Sequence, residues 1–211
     1  GSKLLQSENA DPVWLNSLEA QMSETGVAIA SARIDMICRL KNFIEILSAD
    51  MNDAFPQACL RMQGSIEELL VSVPAIEVED IFSAQLRESR SFDAHHGGAA
   101  TGPHKSDMLV FYAAKNTPAA QSSTGEQKAL LIGIILAQSQ LVAAERNIKP
   151  LLLLDEIAAH LDENRRRLLF HILRDLGAQV WMTGTDLALF ESVLDAQFFE
   201  IAQGRIFNQY L

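Results

Sequence analysis

Two adjacent carboxylates, Asp155 and Glu156, follow directly on the four leucines at positions 151–154. A continuous aliphatic run is typical of a central parallel strand, both of whose faces are covered by helices. Ligands bind at the carboxyl ends of such strands, and two buried carboxylates there need a compensating cation or a proton-transfer task. The pattern has the form of a Walker B motif, in which Asp155 holds Mg²⁺ through water and Glu156 is the catalytic base for hydrolysis of a nucleotide γ-phosphate. The alternative is that the pair starts a loop and caps the next helix.

The segment at positions 122–138, SSTGEQKALLIGIILAQ, could bind a phosphate. It places a hydroxyl, a flexible glycine and free amide groups at the positive end of a long apolar helix. Ser123 and Glu126 also fit a capping box, in which their role is to start the helix. Taken alone, the segment favours capping; its place in an ordered set of motifs favours phosphate binding.

The second half of the chain, which must position these residues, alternates short apolar runs with helical patterns. The predicted elements are a strand at 108–114, a helix at 125–146, a strand at 151–155, a helix at 162–175, a strand at 179–183, a helix at 186–194, and a hairpin of 197–201 with 205–208 that turns at Gly204. Such alternation predicts an α/β fold with a largely parallel sheet covered by helices.

The first half of the chain is predicted to be mainly helical. Asp11 and Pro12 are typical of a helix start, and the second helical pattern after Gly26 favours a helix hairpin over a coiled coil. Residues 66–73 fit a strand or a short buried helix, and we predict a strand, whereas residues 77–92 return to helical spacing. The break at 95–98 contains two histidines and two glycines, and it is the predicted domain boundary.

Composition excludes several classes of protein. The chain has 211 residues and is 48% hydrophobic, which fits one core with a small helical appendage. Its formal net charge of −10 argues against a general nucleic-acid-coating surface. No uninterrupted apolar run reaches the roughly 18 residues of a membrane span, and no secretory signal is visible. Cys38 and Cys59 give no sign of a disulfide framework. We therefore expect a cytoplasmic protein with no membrane partner, and we interpret residues 1–2 as a tag remnant.

Four motifs occur in order along the chain: TGPHKSDMLV at 101–110, STGEQKALL at 123–131, LLLLDEIAAHLDENRRRLL at 151–169 and QVWMTGTD at 179–186. Together they resemble RecF recombination and repair proteins, which belong to the ABC and SMC type of ATPase. The region at 11–33 is similar to the second part of the RecF helical arm. The resemblance implies an ABC-type ATPase C-terminal lobe at 97–211 and a helical arm with its connection at 3–96.

The resemblance also implies roles for particular residues. In such ATPases two heads close on two ATP molecules, so Ser123 and Gly125 would contact the γ-phosphate held by the other head, and Asp162 would be the D-loop aspartate. The implied cofactor-binding residues are Ser123, Thr124, Gly125, Gln127, Lys128, Asp162 and Thr183, with Glu156 as the catalytic base and Asp155 as the Mg²⁺ ligand.

Three departures from common ABC patterns matter. Thr124 stands where the usual signature has glycine. Thr183-Gly184-Thr185 stands where many of these ATPases have a switch histidine, so the hydroxyl of Thr183 or of Thr185 would sense the γ-phosphate, and the site assignment names Thr183. No segment fits the P-loop pattern G-x-x-x-x-G-K-[ST]. The chain is therefore expected to be the C-terminal portion of a longer protein, and on its own it should bind ATP poorly and hydrolyse hardly any. The resemblance to RecF proteins implies that the longer protein is a slow ATPase.

The implied function is that of an ATP-driven DNA clamp. ATP and Mg²⁺ would close a homodimer of heads on gapped or double-stranded DNA, and slow hydrolysis would release it. RecO and RecR would be partners in recombinational repair, in replication and in the SOS response. Two alternatives remain: a non-catalytic interaction or dimerisation module, and a head fragment of another SMC-like ATPase, which would need far longer coiled-coil arms.

Overall fold

The computed structural model describes residues 11–50, 55–96, 98–193 and 195–210. Contacts divide the chain into two compact units, the first comprising Gly1–Asn42 and Ala58–Pro118, and the second Phe43–Gln57 and Ala119–Leu211. The first unit continues past residues 95–98, where the sequence predicts a domain boundary. The assignment of 3–96 to an arm and of 97–211 to an ATPase head stays a prediction.

Helix α1 spans Pro12–Asp50 and is continuous over 39 residues. Its predicted start is confirmed, and the Val13 N–H donates to Asp11 Oδ1 at 2.9 Å. The predicted helix hairpin is wrong, because Gly26 does not end the helix. A Cβ at Gly26 would lie 2.7 Å from Cε1 of Phe82, so this glycine makes room for a buried ring and marks no turn.

Three shorter helices belong to the first unit: α2 (Ser65–Leu70), α3 (Ala75–Glu88) and α4 (Arg90–His96). The helix predicted at 77–92 is confirmed as α3 and α4, but the strand predicted at 66–73 is wrong, since this segment forms α2 and a turn. Ile66 and Glu67 are adjacent and both buried, a pattern that the alternating side chains of a half-buried strand do not produce. The core of the unit contains Val27, Ala30, Ile66, Val78, Phe82 and Leu86.

An antiparallel sheet also belongs to the first unit, in the order β1 (Ala58–Gln63), β2 (Asp107–Tyr112) and β3 (Thr117–Pro118). Leu60 of β1 pairs with Val110 of β2. The strand predicted at 108–114 is confirmed as β2. The sequence pattern does not predict β1, because apolar and polar residues alternate over only the four positions 60–63.

The second unit contains α5 (Thr124–Arg146), β4 (Leu152–Leu154), α6 (Glu163–Leu176), β5 (Val180–Met182), β6 (Phe198–Ala202) and β7 (Arg205–Tyr210). β4 and β5 are parallel, whereas β6 and β7 form an antiparallel hairpin that turns at Gly204, with φ +71°. The predicted α/β class is confirmed, and within the described strands the parallel pairing is confined to β4 and β5. The helix predicted at 186–194 is wrong for its described residues, 186–193, which contain a 3₁₀ turn at Leu187–Phe190. The other 3₁₀ turns in the described ranges are Pro103–Lys105, Ala113–Lys115, Ala119–Gln121 and Ala158–His160.

Strand β4 is covered on one face. Leu152 and Leu154 are buried, whereas Leu151 and Leu153 are 55% and 73% exposed. The expectation that helices cover both faces of this strand is therefore wrong for this chain. On β5 the paired residue of Leu153 is Trp181, which stacks on Phe199 with ring centroids 6.2 Å apart.

Helix α5 is long and apolar enough, by length and composition, to cross a membrane, and it is the one such helix in the described ranges. Its most apolar window has a mean hydropathy of 1.4, and 39% of that window is buried. Leu130, Leu136 and Ala137 lie in the core. Because the core helix of a globular protein passes the same test, this helix is weak evidence for a membrane span.

Candidate functional site

The ends of two parallel strands bring Asp155 and Thr183 together. Leu154 pairs with Met182 at the end of β4 and β5, so the next residue of each strand meets the other. The Thr183 N–H donates to the Leu154 carbonyl at 3.1 Å, which continues the sheet by one hydrogen bond. The Thr183 hydroxyl donates to Asp155 Oδ1. The predicted strand-end position of the carboxylate pair is therefore observed.

Glu156 leaves the strand with an unusual backbone. Its φ is +51°, in the left-handed region that costs a residue with a side chain about 1 kcal/mol or more. The Glu156 N–H donates to the Thr183 hydroxyl oxygen at 3.0 Å, and this bond supports the turn. One hydroxyl thus contacts both residues of the predicted Walker B pair.

The environment of the pair differs from the one assumed from sequence. Asp155 is exposed and Glu156 is half-buried. The two carboxylates are therefore not both buried, and burial gives no argument for a metal at this site. The case for a metal site depends on the geometry of the oxygen donors. The carboxylate of Asp155 and the hydroxyl of Thr183 are oxygen donors of the kind Mg²⁺ accepts, with water and phosphate oxygens completing the coordination. The described residues contain no group of three or more His, Cys, Asp or Glu side chains placed to hold a metal ion.

At the start of α5, Ser123 and Glu126 form a complete capping box. The Ser123 hydroxyl accepts from the Glu126 N–H at 3.4 Å, and the Ser123 N–H donates to Glu126 Oε2 at 3.0 Å. The Ser123 hydroxyl also donates to Glu126 Oε2 at 2.9 Å. The capping alternative is thus observed, and the contact of Ser123 with a phosphate stays a prediction.

The other residues of this loop divide into exposed and locally bonded groups. Thr124 and Gly125 are exposed, and a Cβ at Gly125 would have no neighbour within 4 Å. The Gln127 side chain donates to the carbonyls of Ala120 and Ser122 at 3.2 and 2.9 Å, so its amide group holds the preceding turn. Lys128 is half-buried. A phosphate role for these four residues stays a prediction.

Asp162 is the N-cap of α6. Its Oδ1 accepts from the Arg165 N–H at 2.9 Å, and its Oδ2 lies 3.5 Å from Arg165 Nε. The Arg167 side chain pairs with Glu163 within the same helix, and Arg166 donates to the Leu161 carbonyl. These contacts give the aspartate a structural role within one copy, and its predicted role across a dimer is untested.

The Gly-Pro-His-Lys motif forms a loop of the first unit that is fixed by buried contacts. Arg33 of α1 donates to the Pro103 carbonyl. Ser106 donates to Glu67 Oε2 at 2.7 Å, and this carboxylate is 2% exposed. Arg33 Nη1 also lies 3.8 Å from Glu67 Oε1. An open cavity of about 370 Å³ lies between α1 and this loop, and Phe82 of α3 also lines it. The contacts show a structural role for the motif.

Comparison with known protein families identifies the class of domain to which the chain belongs. The family described as "AAA domain, putative AbiEii toxin, Type IV TA system" matches residues 7–189, and the chain belongs to it. Within this class, the chain resembles proteins named DNA replication and repair protein RecF. It is 46% identical to the one from Agrobacterium fabrum over 206 residues, which is 97% of this chain and 54% of that protein. It is 45% identical to the one from Brucella abortus over the same share of this chain and 53% of that protein.

Solved structures give the same result at the level of the fold. The recombination mediator protein RecF with ATP, in the RecFOR pathway, superimposes with a TM-score of 0.76 at 20% identity, over 100% of this chain and 54% of that one. A second RecF structure gives a TM-score of 0.74. The chain spans about half the length of the curated relatives it matches. The predicted resemblance to RecF proteins and the predicted fold class are confirmed.

Proposed function

We propose that the chain supplies the Walker B lobe of a RecF-type ATPase that acts in DNA repair. The observation that carries this proposal is the placement of Asp155 and Glu156 at the end of β4, where Thr183, at the end of the parallel strand β5, is hydrogen-bonded to both. Relatives at 45–46% identity that are named for DNA replication and repair support the biological setting.

In this proposal the two carboxylates have different tasks. Asp155, exposed at the strand end, would hold Mg²⁺ through water, and that metal would supply charge neutralisation for the phosphates of ATP. Glu156, half-buried beside it, accepts a proton from the attacking water. No segment of the 211 residues fits the P-loop pattern, so the phosphates of ATP would need a P-loop that this sequence does not contain.

The remaining predicted residues face a second copy. Thr124 and Gly125 are exposed at the N-terminus of α5, where backbone N–H groups and the helix dipole favour a phosphate. Ser123, Gln127 and Lys128 complete this loop, and Asp162, as the D-loop aspartate, acts across the same interface. ATP then closes a homodimer on gapped or double-stranded DNA, with RecO and RecR as partners in a cytoplasmic repair reaction linked to the SOS response.

The test uses the protein that the natural gene encodes, with Glu156→Gln and, as a matched control, Glu191→Gln, which alters an exposed glutamate of the same unit. ATP hydrolysis should fall by about 10²- to 10⁴-fold in Glu156→Gln and stay unchanged in the control. Light scattering should show that Glu156→Gln forms a dimer only with Mg²⁺ and ATP. The double variant Glu156→Gln/Ser123→Arg should stay monomeric under the same conditions.

Two results would contradict the proposal in different ways. Normal hydrolysis by Glu156→Gln would remove the base role of this residue. A monomer under every condition, with gapped DNA bound equally well without nucleotide, would favour the interaction-module alternative.

A further inference from the structure

We propose that Thr183 is a positioning residue, which holds Asp155 and Glu156 in their working geometry and does not sense the γ-phosphate. This inference rests on the proposed function, because it concerns hydrolysis at the same strand ends. It replaces the sensor role that the sequence predicts for Thr183 with a role that its observed hydrogen bonds define.

The hydroxyl of Thr183 has already used the group that a sensor needs. A threonine hydroxyl has one O–H donor and two acceptor lone pairs. Thr183 donates its O–H to Asp155 Oδ1 and accepts from the Glu156 N–H at 3.0 Å. A phosphate oxygen can only accept, so contact with it would require Thr183 to release Asp155.

The position of this hydroxyl is fixed from two directions. The Thr183 N–H is bonded to the Leu154 carbonyl at 3.1 Å, which ties its backbone to the end of β4. A β-branched side chain has restricted χ1 freedom, so a fixed backbone also fixes the direction of the hydroxyl. The hydrogen bonds with Asp155 and Glu156 are therefore made by a hydroxyl whose position is fixed.

The backbone of Glu156 gives this partner a task. Its φ of +51° is unfavourable for a residue with a Cβ, and a turn of this kind persists when surrounding contacts hold it. Without the bond to Thr183, the peptide before Glu156 is free to relax, and the carboxylate moves with it. A general base displaced by about 1 Å loses roughly 10²-fold in rate, although distant binding contacts are unchanged.

The test compares Thr183→Val, which keeps the branched shape and removes the hydroxyl, with Thr183→Ser, which keeps the hydroxyl. In the natural gene product, Thr183→Val should lower kcat by about 10- to 100-fold, with the KM for ATP and ATP-dependent dimerisation unchanged. Thr183→Ser should restore kcat to within roughly threefold of the unmodified protein. Ser192→Ala, which removes an exposed hydroxyl of the same unit, is the control and should change nothing.

A second readout does not depend on catalysis. Amide exchange of the Glu156 N–H, measured without nucleotide, should accelerate about tenfold or more in Thr183→Val and remain slow in Thr183→Ser, because an opened hydrogen bond exposes the amide. Exchange in α6 should stay unchanged in both variants, which shows that the fold is intact.

The outcomes separate this inference from the proposed function. A raised KM or lost dimerisation in Thr183→Val, with unchanged Glu156 exchange, would restore the sensor role and overturn the inference. Unchanged kcat and unchanged exchange would overturn it as well. If the unmodified gene product hydrolyses no ATP, the proposed function fails and so does the catalytic part of the inference, whereas the exchange measurement still decides whether Thr183 holds Glu156.

Discussion

Gly26 offers a sharp test of how packing overrides helix propensity in this protein. Replacing a mid-helix glycine with alanine normally stabilises by about 1 kcal/mol. At Gly26, however, the new Cβ would lie 2.7 Å from Cε1 of Phe82 and 3.4 Å from Cδ of Pro103. Phe82 is 2% exposed, so its ring has little freedom to move. Overpacking of this kind costs about 1–3 kcal/mol, and we expect Gly26→Ala to destabilise the first unit by about 1 kcal/mol net.

Gly133 in α5 provides the matched control, since a Cβ there would have no neighbour within 4 Å. Gly133→Ala should therefore stabilise the second unit by about 1 kcal/mol. Urea-dependent amide exchange, read separately in peptides of α3 and α5, measures both changes in free energy. The double variant Gly26→Ala/Phe82→Leu should show favourable coupling, because a shorter side chain makes room for the methyl group. Equal stabilisation by both glycine replacements would refute the packing argument.

Two further predictions follow from side-chain contacts, one in the first unit and one in the second. Arg90 makes two hydrogen bonds of 2.6 Å with Glu19, which is 7% exposed, and this pairing raises the pKa of Arg90. Arg90→Met leaves that carboxylate buried without its cation, so it should destabilise the first unit by about 2–3 kcal/mol in urea unfolding. The double variant Arg90→Met/Glu19→Met should recover part of this loss. An equal loss in the single and double variants would contradict the pairing argument. Ser123→Ala removes an N-cap and should cost about 1 kcal/mol, with exchange accelerated in the first turn of α5, whereas unchanged exchange would show that the capping box contributes nothing.

The sequence predicted the second unit well because its signals are local. Ser123 caps the N-terminus of α5 with a capping box, Asp162 caps the N-terminus of α6, and Gly177, with φ +58°, caps its C-terminus. These caps, together with a long hydrophobic period, define the helices without knowledge of the tertiary fold. The short apolar runs predicted as strands at 151–155 and 179–183 form β4 and β5.

The errors arose where tertiary contacts decide the structure. Gly26 was interpreted as a break between helices, yet it serves the close approach of Phe82, a residue 56 positions away. The segment at 66–73 is too short for its period to distinguish helix from strand. Leu153 belongs to a continuous aliphatic run, yet it is 73% exposed, because hydrophobicity alone does not state which neighbours are present.

The candidate site was predictable in part. Two parallel strands, each followed by polar residues, place Asp155 beside Thr183 at one edge of a sheet. The roles within that group were not predictable, because the bond from Glu156 to the Thr183 hydroxyl depends on a left-handed backbone at a residue that gives no such signal. A threonine that looks like a ligand contact in a motif proves to be bonded to its neighbours.

The open face of β4 and β5 gives the protein an optical property. Trp181 is 51% exposed on that face, stacks on Phe199 and lies two residues before Thr183. The indole is thus partly hydrated, and its emission wavelength depends on how much water reaches the sheet. Trp14 is the other tryptophan of the chain, so Trp14→Phe leaves a single fluorophore. A molecule that covers this face and excludes water from Trp181 should shift the emission of Trp181 to shorter wavelength. Binding at this face can therefore be followed by intrinsic fluorescence, without a label.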